Sequence, residues 1–225
     1  MKQILLMIAV VALVGCGKKE ATSKVVPEKL IADPIVEKAV REVFYKPTGE
    51  FTKADLEKLE VLKLRNNQLT ELPNGLEKFT QLYALVLSHN QLTSVKGLEK
   101  LTQLTKLVLS NNHLTDVKGL EKLTQLTELW LTGNQLTSVD GLEKLTQLKM
   151  LWLSGNQLTD VKGLEKLTQL TELSLQDNQL TDVKHLEKLT QLKELWLSDN
   201  QLTKAQIDQL QKALPNCKIY SNPTK

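Results

Sequence analysis

Seven asparagines, Asn67, Asn90, Asn112, Asn134, Asn156, Asn178 and Asn200, divide most of the chain into near-identical units. The last six stand 22 residues apart; the first interval is 23, because Pro73-Asn74-Gly75 stands where later units have a shorter Lys-Gly. A period of this size makes each copy one small structural unit that cannot bury its own apolar face. Copies must therefore stack, each contacting only its neighbours. A length of 225 residues allows one domain or two, and the repeats decide for one elongated domain with caps.

Inside a unit, the run Glu128-Leu129-Trp130-Leu131-Thr132 alternates. It predicts a short strand with Leu129 and Leu131 on one face. Each inward leucine, once stacking buries it, contributes about 1.5–3 kcal/mol. The Asn that follows marks a bend, where its side chain can satisfy backbone groups that no strand ladder reaches. Gly141 to Thr146 then returns along the outside, too short for a long helix and suited to a helical or 3-10 turn. Its Glu-Lys pairs read as a solvated convex face. The pattern Leu-x-x-Leu-x-Leu-x-x-Asn-x-Leu resembles the leucine-rich repeat and covers about 60–203. The resemblance implies an α/β solenoid, a horseshoe with short parallel strands on the concave face and 3-10 or helical turns on the convex face.

The ends differ from the repeats. Met1-Lys2 opens a positive stretch, and Ile4 to Val14 is an uncharged apolar run with the proportions of a signal peptide. It ends in Leu13-Val14-Gly15-Cys16, which resembles the lipobox of bacterial lipoproteins. That resemblance implies removal of 1–15 and lipid modification of Cys16. The expected location is the bacterial cell envelope, lipid-anchored, with the outer membrane favoured over the inner because Gly17 and not Asp follows the cysteine. Residues 16–32 read as the lipidated Cys and a flexible tether. Residues 33–60 read as a helical N-cap, with Asp33 and Pro34 starting a helix whose apolar face is Ile35, Val36, Ala39, Val40, Val43 and Phe44. Thr52 and Asp55 form a capping box for a second short helix carrying Leu56 and Leu59. Seven repeats fill 61–203. A C-terminal cap fills 204–225, a helix capped by Thr203 with Ile207, Leu210 and Leu214 inward, then a half-strand at Cys217-Lys-Ile219-Tyr.

The N-cap and repeats such as Leu151-Trp-Leu153-Ser-Gly-Asn156-Gln-Leu158-Thr-Asp-Val161 resemble bacterial internalins. Internalins usually carry Pro in the turn where this chain has Gly97, Gly119, Gly141 and Gly163. No immunoglobulin-like domain or cell-wall sorting tail is visible after the repeats. The resemblance therefore implies fold and binding mode, not host-cell invasion.

The residue between the two inward leucines of each strand should face the concave surface. That column reads Lys63, Val86, Val108, Trp130, Trp152, Ser174 and Trp196, and it holds all three tryptophans of the chain. One flanking column reads Val61, Ala84, Lys106, Glu128, Met150, Glu172 and Glu194; the other is small or polar apart from Arg65. An apolar, aromatic stripe with a polar rim has the make-up of an interface. The same residue types also favour strands for packing reasons alone. The expected ligand site is Trp130, Trp152, Trp196, Val86, Val108 and Met150, with Glu128, Glu172 and Glu194 favouring a basic or amide-rich protein partner. The alternatives are a glycan stacked on the tryptophans, or an envelope spacer with no ligand.

The net charge of +3 comes from interspersed basic and acidic residues, which gives no footprint for nucleic acid. With two cysteines, Cys16 spoken for and Cys217 expected as a small buried residue, no disulfide framework is implied. His89, His113 and His185 occupy different places in the repeat and converge on no metal or catalytic site. His185 stands where other units have the turn Gly, which implies that this position tolerates a side chain. No phosphate loop, zinc spacing or nucleophile elbow is present. The chain is expected to be a non-enzyme without cofactor, and a monomer whose membrane contact is the N-terminal lipid.

Overall fold

The computed structural model describes residues 29–222. The expected leader 1–15, the lipidated Cys16 and most of the tether lie outside them. A helix α1 (Pro34–Phe44) and a short helix α2 (Lys53–Leu56) precede the first strand. Then come β1 (Val61–Lys63), β2 (Ala84–Val86), β3 (Lys106–Val108), β4 (Glu128–Trp130), β5 (Met150–Trp152), β6 (Glu172–Ser174) and β7 (Glu194–Trp196). A helix α3 (Lys204–Ala213) and a last strand β8 (Lys218–Tyr220) close the chain. The strands form one parallel sheet of eight in sequence order, each pairing only with its neighbours. This is the leucine-rich-repeat solenoid.

Equivalent residues of successive units are in register across the sheet: Leu107, Leu129, Leu151 and Leu173 pair directly. All four are fully buried, as are the second leucines of each strand run, such as Leu131 and Leu153. The core is thus a continuous leucine column that no single repeat closes.

The Asn column joins the repeats. The Asn134 side-chain oxygen accepts from the Leu114 N–H of the preceding unit at 3.1 Å, and its amide donates to Leu109 O at 3.1 Å and Leu131 O at 2.9 Å. Asn112, Asn156 and Asn178 repeat this set one unit apart. Each Asn therefore bonds its own bend and the strand before it. Asn90 through Asn178 are buried, while Asn200 under the C-cap is half-buried. Asn67 has no repeat before it, and its amide reaches only Arg65 O.

Outer turns open at a glycine in the left-handed region, Gly97 at φ 106°, Gly119 at 110°, Gly141 at 96° and Gly163 at 105°. Short 3-10 pieces follow at Leu98–Lys100, Leu120–Lys122 and Leu164–Lys166, while the unit after Gly141 keeps an irregular turn. His185 does not show that the turn tolerates a side chain unchanged. It lies in a longer 3-10 helix, Lys184–Lys188, and has no positive φ, so the turn itself has changed. A Cβ on Gly141 would stand 3.2 Å from the Val117 carbonyl oxygen, a backbone atom that cannot swing away. Gly141→Ala is expected to lower stability by about 1–3 kcal/mol, read as a lower midpoint in urea at unchanged m-value.

The convex carboxylates are not merely solvated. Glu99, Glu143 and Glu165 accept from the N–H of Gly97, Gly141 and Gly163 at 2.6, 2.8 and 2.6 Å, and Glu121 does so from Gly119. Hydrogen bonds from each Glu's own backbone N–H, then from the turn glycine, hold these four carboxyls below the ordinary Glu range. A depressed folded pKa gives stability that is present above the unfolded value of 4.5 and lost as pH falls through the folded values. The melting temperature is therefore expected to hold at neutral pH and drop below pH 4.5, with proton uptake on unfolding.

The caps close the ends. The Asp33 side chain accepts from Ile35 and Val36 N–H, Pro34 occupies the first turn, and Val36 and Val40 are buried. Val43 departs from the expected face: it is 44% exposed, while Ile35, Ala39 and Phe44 pack against the core beside the buried Val36 and Val40. Thr52 and Asp55 form the capping box of α2, with Leu56 inside the helix and Leu59 just beyond it, both buried. At the other end Thr203 and Gln206 form a second capping box. The expected half-strand is a full strand, with Tyr220 paired to Trp196 and Ile219 to Leu195. Cys217 is buried, and that burial pushes its thiol up to about 11.

Candidate functional site: an aromatic ladder on the concave face

Parallel register places the middle residues of the strands in one line: Lys63, Val86, Val108, Trp130, Trp152, Ser174, Trp196 and then Tyr220. The side chains face away from the leucine column. Val86, Val108, all three tryptophans and Tyr220 are half-buried by one another and leave an open apolar edge.

The rings do not lie flat on the sheet; they stack along it. Trp130 and Trp152 have centroids 5.3 Å apart at 16°, Trp152 and Trp196 5.6 Å at 31°, and Trp196 and Tyr220 5.5 Å at 4°. Offset stacks at these separations are attractive by about 0.5–1.5 kcal/mol per pair beyond area burial. Trp152 and Trp196 thus have neighbours on both faces. The ends are bracketed by cations: Lys106 Nζ lies 5.5 Å from the Trp130 centroid, and Lys218 Nζ 4.7 Å from that of Tyr220. Closure of the stack leaves the Trp130 and Trp152 indole nitrogens buried without an acceptor.

The flanking charges are distributed less simply than the sequence implies. Glu128 forms a salt bridge with Lys106 of the neighbouring strand at 2.6 Å, so its charge is largely spent inside the site. Glu172 and Glu194 sit side by side in register on β6 and β7. Met150 stands between Glu128 and Glu172, half-buried. Ala84, in the same column, is buried. Along the opposite rim, Asp177 and Asp199 hold left-handed positions and are exposed. The face over β6 and β7 is therefore acidic on both sides of the rings, and exposed Lys218 on β8, in register with Glu194, ends the glutamate column with a cation. Lys63 and Arg65 make the N-terminal end basic and exposed.

Sequence reasoning missed three participants. Tyr220 escaped because α3 interrupts the period before β8. Lys106 was placed in its column but not paired with Glu128, although the two lie one repeat apart. Ser174 was read as facing outward and is 3% exposed, because the rings on either side close over it. The histidines stay apart, His89 Nε2 being 3.3 Å from the Asn111 amide and His185 Nδ1 3.7 Å from Glu165. Among the described residues no cluster of His, Cys, Asp or Glu could hold a metal ion.

A solenoid of stacked units with an ordered open face defines the class. The chain belongs to the leucine-rich-repeat family: a model of paired leucine-rich repeats matches overlapping stretches 57–100, 84–122, 102–144, 124–166, 146–188 and 168–216. Its repeats are of the internalin type. The structure is similar to internalin C2 of Listeria monocytogenes, at 31% identity and a TM-score of 0.79, covering 87% of this chain and 88% of that one. It is also similar to an internalin (inlF) of the same species, at 26% identity, 87% and 58% coverage and a TM-score of 0.78. A leucine-rich-repeat protein of Leptospira interrogans matches at 31% identity, 75% and 51% coverage and a TM-score of 0.65. Among curated proteins none matches. The class is that of protein-interaction modules, and internalin-like relatives are typically non-enzymatic.

Proposed function

We propose that the chain is a lipid-anchored binding module of the bacterial envelope that grips a protein partner on its concave face. The observation that carries this reading is the stack of Trp130, Trp152, Trp196 and Tyr220 beside Val86 and Val108. It is an aromatic, partly open patch, the residue type and setting in which binding hot spots concentrate. Glu172, Glu194, Asp177 and Asp199 favour a basic partner.

A glycan is less well supported. Sugars stack on free ring faces, and here the inner faces are covered by neighbouring rings while a lysine lies against each terminal ring. Mostly ring edges remain, which suit the side chains of a protein. The anchor is proposed from Leu13-Val14-Gly15-Cys16, with Cys16 acylated, the outer membrane favoured and a monomeric module beyond the tether.

The test uses a soluble form beginning at Gly17, immobilised beside its Trp130→Ala/Trp152→Ala/Trp196→Ala variant. Both are exposed to envelope extract and to a glycan panel. A protein held only by the parent supports the reading, a glycan held only by the parent replaces it, and equal retention removes the concave face from the function. For the anchor, Cys16→Ser is expected to move the full chain from the detergent phase to the aqueous phase. Retention in detergent would refute lipidation at Cys16.

A further inference from the structure

The ladder has a missing rung. Trp152 and Trp196 are not on adjacent strands; Ser174 on β6 lies between them, paired in register with both. Two strand spacings amount to about 9.6 Å. The ring centroids are nevertheless only 5.6 Å apart, so the indoles lean toward each other across the serine. Ser174 is left 3% exposed beneath them, its hydroxyl bonded to Ser154. Upright over their own strands, the two indoles would stand about 9.6 Å apart, wide enough for one planar group, which needs roughly 7–8 Å to stack on both sides.

The surroundings of the slot are specific. Glu172 lies on the same strand and face as Ser174, and Glu194 stands beside it in register. Glu172 has no salt-bridge partner among the described residues. In the closed arrangement the Trp152 indole N–H is buried without an acceptor.

Resting on the concave-face reading, we infer that the slot above Ser174 receives the guanidinium of a partner arginine. The planar cation stacks between Trp152 and Trp196 and completes the ladder, while its N–H groups reach the Glu172 carboxylate and the Ser174 hydroxyl. Arginine fits better than lysine, because only a planar cation uses both ring faces and bonds a carboxylate in the same plane. A neutral aromatic would fill the slot but leave Glu172 unanswered.

The probe is the peptide acetyl-Gly-Arg-Gly-amide, with its lysine and citrulline counterparts, titrated into the soluble form while the indole N–H resonances are followed. The arginine peptide is expected to shift Trp152 and Trp196 saturably in the millimolar range, at least about fivefold more tightly than either counterpart. Ser174→Trp supplies the missing rung from within and should abolish the effect without lowering the melting temperature, since the same column carries Trp on neighbouring strands. Glu172→Gln covers the case in which that variant folds poorly, and should weaken the arginine peptide alone to the level of citrulline. Absence of saturable shifts at tens of millimolar, or equal binding of all three peptides, overturns the inference. If Ser174→Trp retains the envelope partner while the triple Trp→Ala variant loses it, the concave-face reading stands and the arginine slot falls. If both variants retain it, both fall.

Discussion

Asn134→Ala is expected to destabilise the solenoid by about 2–4 kcal/mol. The change removes little apolar contact, yet it leaves the buried Leu114 N–H without an acceptor and takes one of two amide donors from Leu109 O and from Leu131 O, which keep Asn112 and Asn156. The unsatisfied N–H costs about 1–3 kcal/mol and each lost amide bond about 0.5–1.5 kcal/mol, and some relief comes from water entering the bend. The loss also falls on a junction between repeats, so it uncouples the units on either side. Chemical denaturation should therefore show a lower midpoint together with a broadened or split transition. Asn67→Ala is the internal control, because that amide bonds only Arg65 O; its cost is expected to stay below about 1 kcal/mol. Equal losses at the two positions would mean that the Asn column acts through the local turn and not through the neighbouring repeat.

The second large effect concerns binding. Trp152→Ala is expected to weaken partner retention by about thirtyfold or more, the level of a hot-spot residue. Trp152 touches rings on both sides, so its removal separates Trp130 from Trp196 and Tyr220. Folding stability should fall far less, by about 1–2 kcal/mol, because the ring is half-buried and its neighbours can relax into the gap. Surface plasmon resonance on parent and variant, with melting curves alongside, separates the two quantities. Val108→Ala, at the margin of the stack, should change binding by less than tenfold. A larger effect at Val108 than at Trp152 would move the centre of the site toward the basic end.

The solenoid was legible because one period carries every requirement. The same leucine, asparagine and glycine recur at the same phase, and each needs burial, a bend or a left-handed turn. The cap helices were legible from Asp33-Pro34, from Thr52 with Asp55 and from Thr203, since capping is local chemistry. What alternation cannot give is how far a side chain leans once its direction is set. It pointed Ser174 outward correctly and could not reveal that Trp152 and Trp196 close above it. Pairing of Lys106 with Glu128 depends on two long side chains choosing each other over solvent, which register permits but does not dictate. Tyr220 lay beyond the broken period, where only its last-strand position carried a signal. His185 misled because a substitution at a repeat position was read as tolerance, when the backbone around it had rearranged.

Four aromatic chromophores held in near contact along one axis have an optical consequence. Their transition dipoles couple, so the ultraviolet circular dichroism of the native protein should contain an exciton couplet that isolated rings do not produce. The signal belongs to the geometry of the site and not to the helices or the sheet. Whatever wedges between the rings or draws one aside will alter that couplet, so the unlabelled protein carries its own spectroscopic reporter of occupancy.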